Sequence, residues 1–519
     1  MKKLLSILSF LLFLIFAGSG LYVFGLPPFQ AGGPFINGQN TAGTNTAAPK
    51  NQPEEKTGQP LTTAINAKTA AEHLQKGRLL EDNNFIQLAI AEYQEAAKLD
   101  PNNPEPLLKI GKILLRNKNF DAAQSNFENI LKLDQSSLEA KIYLGRTLLA
   151  ERKINEAKNI FDGLNAENQE VKYYQGMLAA YFGDYEKSKN FFKNAIETGT
   201  KTEIAAKTGI SKKAQNFLDA FSEFDFNQGA SKTHLKTLLA RSFDQAGEYQ
   251  LAIGILFDVI KDKKDYRDAW IILGHAYLSL EKYQDALEAL NEAKKLDPQK
   301  PDTFFLLGLT SYGLGDLKQA AALLEMAKKL GYEPQIQLNQ KLGEIYMQLK
   351  DYEQAAKNYE NVVNLNDNDI NYYIRPIWLY LEKLNQPEKA LQLAEKALNS
   401  HPQSAMSFNL LAWAQIWNNQ LQQAETNLQI ALQLNPGLDA AYLNFGLLEE
   451  KKGEFTRAIA YYKKAHDLGK DDSVSNSAAD RYNQLVAKTK MSDPGFKPGF
   501  NFSPGLGNEN LKANLLKEP

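Results

Sequence analysis

The sequence contains no cysteine and only five histidines among its 519 residues. Without cysteine, the chain cannot form disulfide bonds, use a thiol in catalysis, hold zinc or iron–sulfur clusters through sulfur, or carry a lipid on a cysteine. No two histidines have the spacing of a metal-binding pair; they are His73, His234, His275, His401 and His466. We therefore predict no metal or other cofactor.

A large excess of either charge is also absent. Lysine and arginine number 59, aspartate and glutamate number 61, and the formal net charge is −2. A dedicated nucleic-acid binder would carry a basic excess to neutralise phosphates, so nucleic acid is not a predicted partner. The hydrophobic fraction of 43% is high enough for most of the chain to fold around a core.

The common catalytic motifs are missing as well. The sequence has no GxxxxGK[ST], no HExxH and no nucleophile elbow of the GxSxG type. Acidic pairs such as Glu449–Glu450 and Asp471–Asp472 are typical of solvated helix surfaces. We therefore predict that the protein is not an enzyme.

A long hydrophobic run occurs once, at the N-terminus. Lys2 and Lys3 precede the uncharged run from Leu4 to Leu26, and about 20 helical residues are enough to span a bilayer. The basic flank predicts a cytoplasmic N-terminus with the remainder exported, as a single-pass protein of the cytoplasmic membrane. A signal peptide cleaved near 17–20 is the competing interpretation, but the apolar run continues to Phe24 and favours an uncleaved anchor. This N-terminal pattern looks bacterial.

Two segments have no helical periodicity. Residues 27–61 are rich in Gly, Asn, Thr, Pro and Gln, a composition typical of a disordered linker. The C-terminal residues 491–519 include PGFKPGFNFSPGLG, with phenylalanines at Phe496, Phe500 and Phe502. We interpret this segment as a disordered tail; the alternative is an aromatic peptide that docks on a surface, such as one of this same chain.

The rest of the chain repeats itself at a period near 34 residues. Gly77, Gly111 and Gly145 are 34 residues apart, and the same phase returns later in the chain. Twelve residues after each such position comes a small residue, and four later a bulky one, as in Ala89 and Tyr93. Prolines then close several units, at Pro101, Pro298, Pro402 and Pro436. This order predicts two antiparallel helices per unit, held close by the small residues.

The pattern resembles the tetratricopeptide repeat family. Residues 269–298 and 441–465 carry nearly all of its positions. Eleven units are expected to start near residues 70, 104, 138, 169, 233, 267, 301, 336, 371, 405 and 439. The resemblance implies an all-α fold, an α-solenoid superhelix of about eleven helix-turn-helix repeats, here with an N-terminal transmembrane helix.

One interruption divides the array, at about residues 200–230. We read it as a helical connector; the alternative is a degenerate twelfth repeat. The predicted organisation is a membrane anchor over 1–26, a linker over 27–61, about four repeats over 62–199, the connector over 200–230, about seven repeats plus a cap helix at 473–490 over 231–490, and a tail over 491–519.

In this family the first helix of each repeat lines a concave surface, and its second, fifth, ninth, twelfth and thirteenth places face a ligand. In the first block the ninth place is basic, at Arg78, Lys112 and Arg146. This basic ladder would suit an acidic ligand. The alternative is internal pairing, because the second place of each following unit is acidic, at Glu105, Glu139 and Glu170.

In the second block the same places become apolar and aromatic. Exposed aromatic residues on a concave face are typical of a partner-binding surface. The candidate residues are Phe305, Leu309, Tyr312, Met347, Tyr372, Leu379, Met406, Trp413, Ile416 and Trp417. The alternative is that some of them pack between helices, since Trp413 and Trp417 lie one turn apart on one helical face.

The resemblance implies a membrane-tethered scaffold that binds protein or peptide partners, in an envelope assembly or secretion complex. The alternative is an accessory protein for export or synthesis of polysaccharide or cell-wall glycan, since aromatic side chains also stack on sugars. Self-association, with the tail of one copy in the groove of another, is a third option.

Overall fold

The computed structural model describes residues 67–200, 209–227, 229–469 and 473–492. Within these ranges the chain forms 24 α-helices and one π-helical segment, with no strand. The predicted all-α fold is confirmed. The predicted anchor, linker and most of the tail lie outside these ranges, and none of the helices inside them has the length and apolar character needed to cross a membrane.

The described residues separate into two compact units, divided after Leu280. The helices of the first unit are α1 (Ala70–Asp82), α2 (Ile86–Leu99), α3 (Pro104–Arg116), α4 (Phe120–Leu133), α5 (Leu138–Ala150), α6 (Ile154–Asp162), α7 (Gln169–Tyr181), α8 (Tyr185–Thr200), α9 (Ile210–Phe226), α10 (Lys232–Gln245), α11 (Tyr249–Asp262) and α12 (Arg267–Ser279).

The second unit continues in the same manner from Glu281. Its helices are α13 (Tyr283–Leu296), α14 (Pro301–Gly313), α15 (Leu317–Lys329), α16 (Gln335–Gln348), α17 (Tyr352–Leu365), α18 (Asn371–Trp378), α19 (Pro387–Ser400), α20 (Ala405–Trp417), α21 (Leu421–Leu434), α22 (Asp439–Lys452), α23 (Phe455–Gly469) and α24 (Ser473–Ser492), with the π-helical segment Leu379–Lys383 directly after α18.

The helices start where the repeat pattern places them. All eleven predicted starts fall within one residue of the start of a helix, and the predicted cap helix is α24. Local chemistry contributes to these boundaries. The hydroxyl of Thr69 and the carboxylate of Glu72 form a capping box at α1, and side chains of Asn103 and Asn168 accept from backbone N–H groups at α3 and α7.

Packing inside a repeat explains the recurring glycine. Phe161 on α6 is completely buried and lies against Gly145 on α5. A Cβ added to Gly145 would lie 2.5 Å from a ring carbon of Phe161, which is too close for two carbons. Only glycine lets the two helix backbones approach over this ring, and the same arrangement recurs at Gly77, Gly111, Gly176, Gly343 and Gly446.

Replacing Gly145 by alanine is expected to lower the free energy of unfolding by about 1–2 kcal/mol. Overpacking a tight core costs about 1–3 kcal/mol, which exceeds the gain of up to about 1 kcal/mol from the better helix propensity of alanine. Urea denaturation measures the change. The matched control is Gly163→Ala, where the added Cβ would meet only backbone oxygens at 3.4 Å and 3.5 Å. Equal stability of both variants would contradict the packing argument.

The range 200–230 contributes a single described helix, α9, which packs between α8 and α10. The ring of Phe217 on this helix is completely buried. It stacks on the ring of Phe192, with 4.6 Å between the centroids, and lies edge-on to the ring of Phe243 at 4.9 Å. This extra helix therefore continues the core from the fourth repeat to the fifth. A helical connector was predicted here, and the limits of the two blocks around it stay a prediction.

The π-helical segment interrupts the first helix of the ninth repeat. Pro376 lies inside α18 and has no N–H to donate to the preceding turn. The N–H of Leu384 then donates to the carbonyl of Leu379, five residues earlier, at 2.9 Å. The added residue in this turn changes the direction in which the following side chains point.

Candidate functional site

The basic ladder of the first unit is paired internally. Arg78 contacts Glu105, Lys112 Nζ lies 2.5 Å from Glu139 Oε1, and Arg146 Nη1 lies 3.1 Å from Glu170 Oε1. Each basic residue on the first helix of one repeat thus pairs with the acidic residue on the first helix of the next repeat. This is the internal pairing that the sequence analysis gave as the alternative. Partly exposed ion pairs of this kind contribute only about 0–1 kcal/mol each. Their main effect here is to neutralise the ladder, and a ligand-binding role for its three bases stays a prediction.

An acidic side chain from farther along the chain joins this surface. Glu248, in the turn between α10 and α11, lies near Arg146 and Lys213. Burial raises the pKa of Glu248, and the two positive charges oppose that rise. Sequence reasoning missed this residue, because it depends on α11 folding back toward α7.

The side chain of Tyr181 on α7 reaches α11. A Cβ on Gly254 would lie 2.7 Å from the hydroxyl oxygen of Tyr181, so this glycine leaves room for the end of the phenol. Because α11 belongs to the fifth repeat and α7 to the fourth, the chain itself covers part of the surface that the basic ladder was predicted to expose. The first unit is thereby a weaker candidate for partner binding.

A buried hydrogen-bonded pair lies at the other end of the first unit. Nδ1 of His275 is 2.9 Å and 2.8 Å from the two carboxylate oxygens of Asp244. Both residues are buried, although they occupy the ninth and twelfth places predicted to face a ligand. The pair lies inside the packing of α10 against α12 and has a structural role. Among the described residues, no group of three His, Asp or Glu side chains could hold a metal ion.

Four of the predicted partner-binding residues of the second unit are buried and cannot contact a partner in this structure. The exposed fractions are 6% for Phe305, 5% for Leu309, 0% for Leu379 and 1% for Ile416. Their placement on an accessible surface was therefore wrong.

The physical reasons for these corrections differ. In α14, ten consecutive residues from Asp302 to Ser311 are buried, and the ring of Tyr332 stacks on Phe305 at 4.1 Å. Leu379 begins the π-helical segment and turns into the core. Ile416 is part of a cluster shared with α21 and α22. The predicted positions assume regular first helices with one open face. In α14 and α20 these positions are covered by neighbouring side chains, and only after α18 does the helix itself become irregular.

Tyr312 is partly exposed but already bonded. Its hydroxyl donates to a carboxylate oxygen of Glu344 and accepts from the amide of Gln348 at 2.8 Å. Lys341 lies over its ring at 4.6 Å from the centroid. Burial and the bond to Glu344 raise the pKa of Tyr312. This network fixes the phenol in place and leaves it little freedom to hold a ligand.

The remaining five residues form what we call the aromatic groove: Met347, Tyr372, Met406, Trp413 and Trp417. All five are partly exposed. All five pack on the core cluster around α18 and α20, and Met406, Trp413 and Trp417 also touch the cluster around α22. The indole N–H of Trp417 is buried and has no hydrogen-bond partner among the described residues. Lys451 lies 5.9 Å from the centroid of the Trp417 ring.

The cap helix α24 closes one side of this region. Nη2 of Arg481 lies 3.4 Å from Oε1 of Glu382, which belongs to the π-helical segment three first helices earlier. Beside this contact, α24 and the end of α22 line a small polar pocket with Glu450, Arg481, Gln484, Leu485 and Lys488. Below the groove, the amide of Asn444 donates to the amide oxygen of Asn409 at 2.9 Å. No pattern in the sequence predicts that Arg481 contacts Glu382.

Family models match five stretches of the chain. Those described as tetratricopeptide repeat match 114–181, 336–369 and 409–473, and one described as TPR repeat matches 77–118 and 274–315. Each of these stretches contains helices of the repeats described above. The chain is a tetratricopeptide repeat protein. The expected resemblance is thereby confirmed at the level of the family.

Several known proteins are similar to this one in part. The human protein O-mannosyl-transferase TMTC1 is 26% identical over 219 residues, which are 40% of this chain and 24% of that protein. The peroxisomal targeting signal receptor of Saccharomyces cerevisiae is 23% identical over 254 residues, 44% of this chain and 39% of the receptor. The chain thus matches between a quarter and two fifths of these relatives' own lengths.

One solved structure matches this chain at low identity. YrrB, described as a tetratricopeptide repeat protein with an unusual peptide-binding site, is 17% identical. The match covers 43% of this chain and 97% of YrrB, with a TM-score of 0.27.

Proposed function

We propose that this tetratricopeptide repeat protein is a non-enzymatic scaffold that holds segments of partner proteins in the aromatic groove. Arrays of stacked helix pairs present extended concave surfaces, and extended or helical peptides are the ligands that such grooves suit best. The peroxisomal receptor described above, as its name states, recognises a targeting signal, which agrees with a peptide-binding role.

The observation that carries the proposal is that the five side chains of the aromatic groove stay partly exposed although they pack on the core clusters. Covering apolar side chains with a partner removes their surface from water, which favours binding. The surrounding methionines and Trp413 give an apolar, adaptable lining, and methionine fills irregular gaps well. Large aromatic residues with one polar atom are typical centres of binding energy at protein interfaces.

The cellular setting of the proposal rests on the N-terminal sequence. The uncharged run would anchor the protein in the cytoplasmic membrane. Lys2 and Lys3 before it would keep the N-terminus inside, so the repeats would lie on the outer side. A scaffold held there would serve an envelope assembly or secretion complex. The same location suits a glycan-handling accessory protein, and the following experiment separates the two.

Replacing Trp413 by a photoreactive amino acid in the native host is expected to capture a discrete protein partner. The exposed Lys464 on α23 is the control position. A carbohydrate adduct at Trp413 in place of a protein would support glycan handling. Adducts at both positions, or at neither, would contradict a specific groove.

The captured partner then permits a quantitative test. Trp417→Ala is expected to weaken the binding of that partner at least about 30-fold, since central tryptophans contribute about 2 kcal/mol or more. Trp270→Ala is the matched control, because this tryptophan of the first unit already donates to the carbonyl of Lys264. Unchanged affinity of the Trp417 variant, with its helical content intact, would contradict the proposal.

A further inference from the structure

The end of α24 lies beside the aromatic groove. The connections between α22 and α23 and between α23 and α24 are short, so neighbouring helices are antiparallel and α24 runs parallel to α22. Lys488 lies 5.2 Å from the ring of Phe455, the first residue of α23. The last turn of α24 is therefore at the same edge as Lys451 near the end of α22 and Trp417 at the end of α20.

The residues that follow α24 have the chemistry to fill this groove. Residues 493–506 carry Phe496, Phe500 and Phe502 between three prolines and hold only one acidic and one basic side chain. Proline favours an extended conformation before binding, which lowers the entropy cost of docking on aromatic surfaces. Such a peptide offers apolar rings to the methionines and to the partly exposed rings of Trp413 and Trp417.

The reach of the segment is sufficient. Packed helix axes are about 8–10 Å apart, so α20 lies about 20 Å from α24 when α22 is between them. Phe500 is eight residues beyond Ser492, and an extended chain covers about 3.3 Å per residue, or about 26 Å. The extended chain from Ser492 is therefore long enough for a phenylalanine of this segment to reach Trp417.

We propose that residues 493–506 of this chain occupy its own aromatic groove and must leave before a partner segment binds. The inference rests on the proposed function in that both ligands use the same groove. Because the segment is covalently joined to α24, its effective concentration at the groove is in the millimolar range, so even weak docking competes with a partner. The segment thereby sets a threshold for partner binding.

Photocrosslinking within the full-length protein tests this inference. Phe500 is replaced by p-benzoylphenylalanine, and the purified protein is irradiated as a mixture of copies with natural and heavy nitrogen. The expected adducts join residue 500 to the groove, at Met406, Trp413 or Trp417, within one copy. Adducts between differently labelled copies would overturn docking within the chain, and adducts scattered over both units, or none, would overturn docking altogether.

Two variants distinguish binding from chance proximity. Changing Phe496 and Phe502 to serine is expected to lower the yield of the adduct about tenfold, and this change lies outside the described helices. The same probe at Phe226, which is 84% exposed on α9, gives the background yield. An unchanged yield in the serine variant would overturn the inference.

The outcomes of the two proposals are separable. Tail adducts in the groove together with partner binding that ignores Trp417→Ala would leave the docking of residues 493–506 standing and refute the proposed function, together with the competition between tail and partner. The absence of tail adducts together with partner binding that needs Trp417 would do the reverse. Where both hold, the serine variant is expected to bind the captured partner about tenfold more tightly than the native chain.

Discussion

Replacing His275 by alanine is expected to lower the free energy of unfolding of the first unit by about 3–5 kcal/mol. The change leaves the side chain of Asp244 buried, with its hydrogen-bond partner removed. A buried polar group without a partner keeps its full desolvation cost, which reduces stability. Urea denaturation, followed by far-UV circular dichroism, measures the loss.

His234→Ala is the matched control for this prediction. His234 lies on α10 of the same unit and is partly exposed, and its ring makes one hydrogen bond, between Nδ1 and the hydroxyl of Tyr266 at 2.9 Å. Loss of this ring is expected to cost only about 1 kcal/mol. Replacing both His275 and Asp244 by leucine removes both buried polar groups and is expected to restore most of the stability. Equal losses in the two histidine variants would show that the buried pair has no special role.

Phe217→Ala is expected to destabilise the first unit by about 3–5 kcal/mol, because a completely buried ring leaves a cavity. The ring connects α9 with Phe192 on one side and Phe243 on the other. Its loss is therefore expected to uncouple the fourth repeat from the fifth, with faster amide hydrogen exchange in α9 and α10 than in α3 and α4.

Phe226→Ala on the same helix provides the control. This side chain is 84% exposed, and its truncation is expected to change stability by less than about 0.5 kcal/mol. A loss below about 1 kcal/mol in the Phe217 variant would show that α9 is not an integral layer of the array. Uniform acceleration of exchange across the first unit would instead show that the helices unfold together.

The repeat boundaries could be predicted from the sequence because they depend on local spacing. The separation along the sequence between Gly145 and Phe161 recurs in the other repeats that carry this glycine. It marks the point at which the two helices of a repeat pack against each other. The pairing of Arg78, Lys112 and Arg146 could be foreseen as an alternative for the same reason. Each acid follows its base at a nearly constant interval along the chain.

The accessible surface could not be predicted in the same way. Phe305 and Leu309 occupy the expected places, but ten consecutive residues of α14 are buried. Tyr332, in the connection after α15, stacks on Phe305 and covers it. Leu379 is displaced by the π-helical turn that follows Pro376. Contacts such as Glu382 with Arg481 join residues 99 positions apart, and no periodic pattern encodes them.

The pairing along the first four repeats also has a consequence for how such an array can grow. The second and third repeats each carry both an acid at the second place and a base at the ninth, so either could be duplicated or removed without leaving an unmatched charge. The first repeat has Ala71 in place of the acid, and the fourth has Met177 in place of the base. The series of matched charges therefore ends at these two repeats, and a unit inserted between them keeps the pairing only if it carries both the acid and the base.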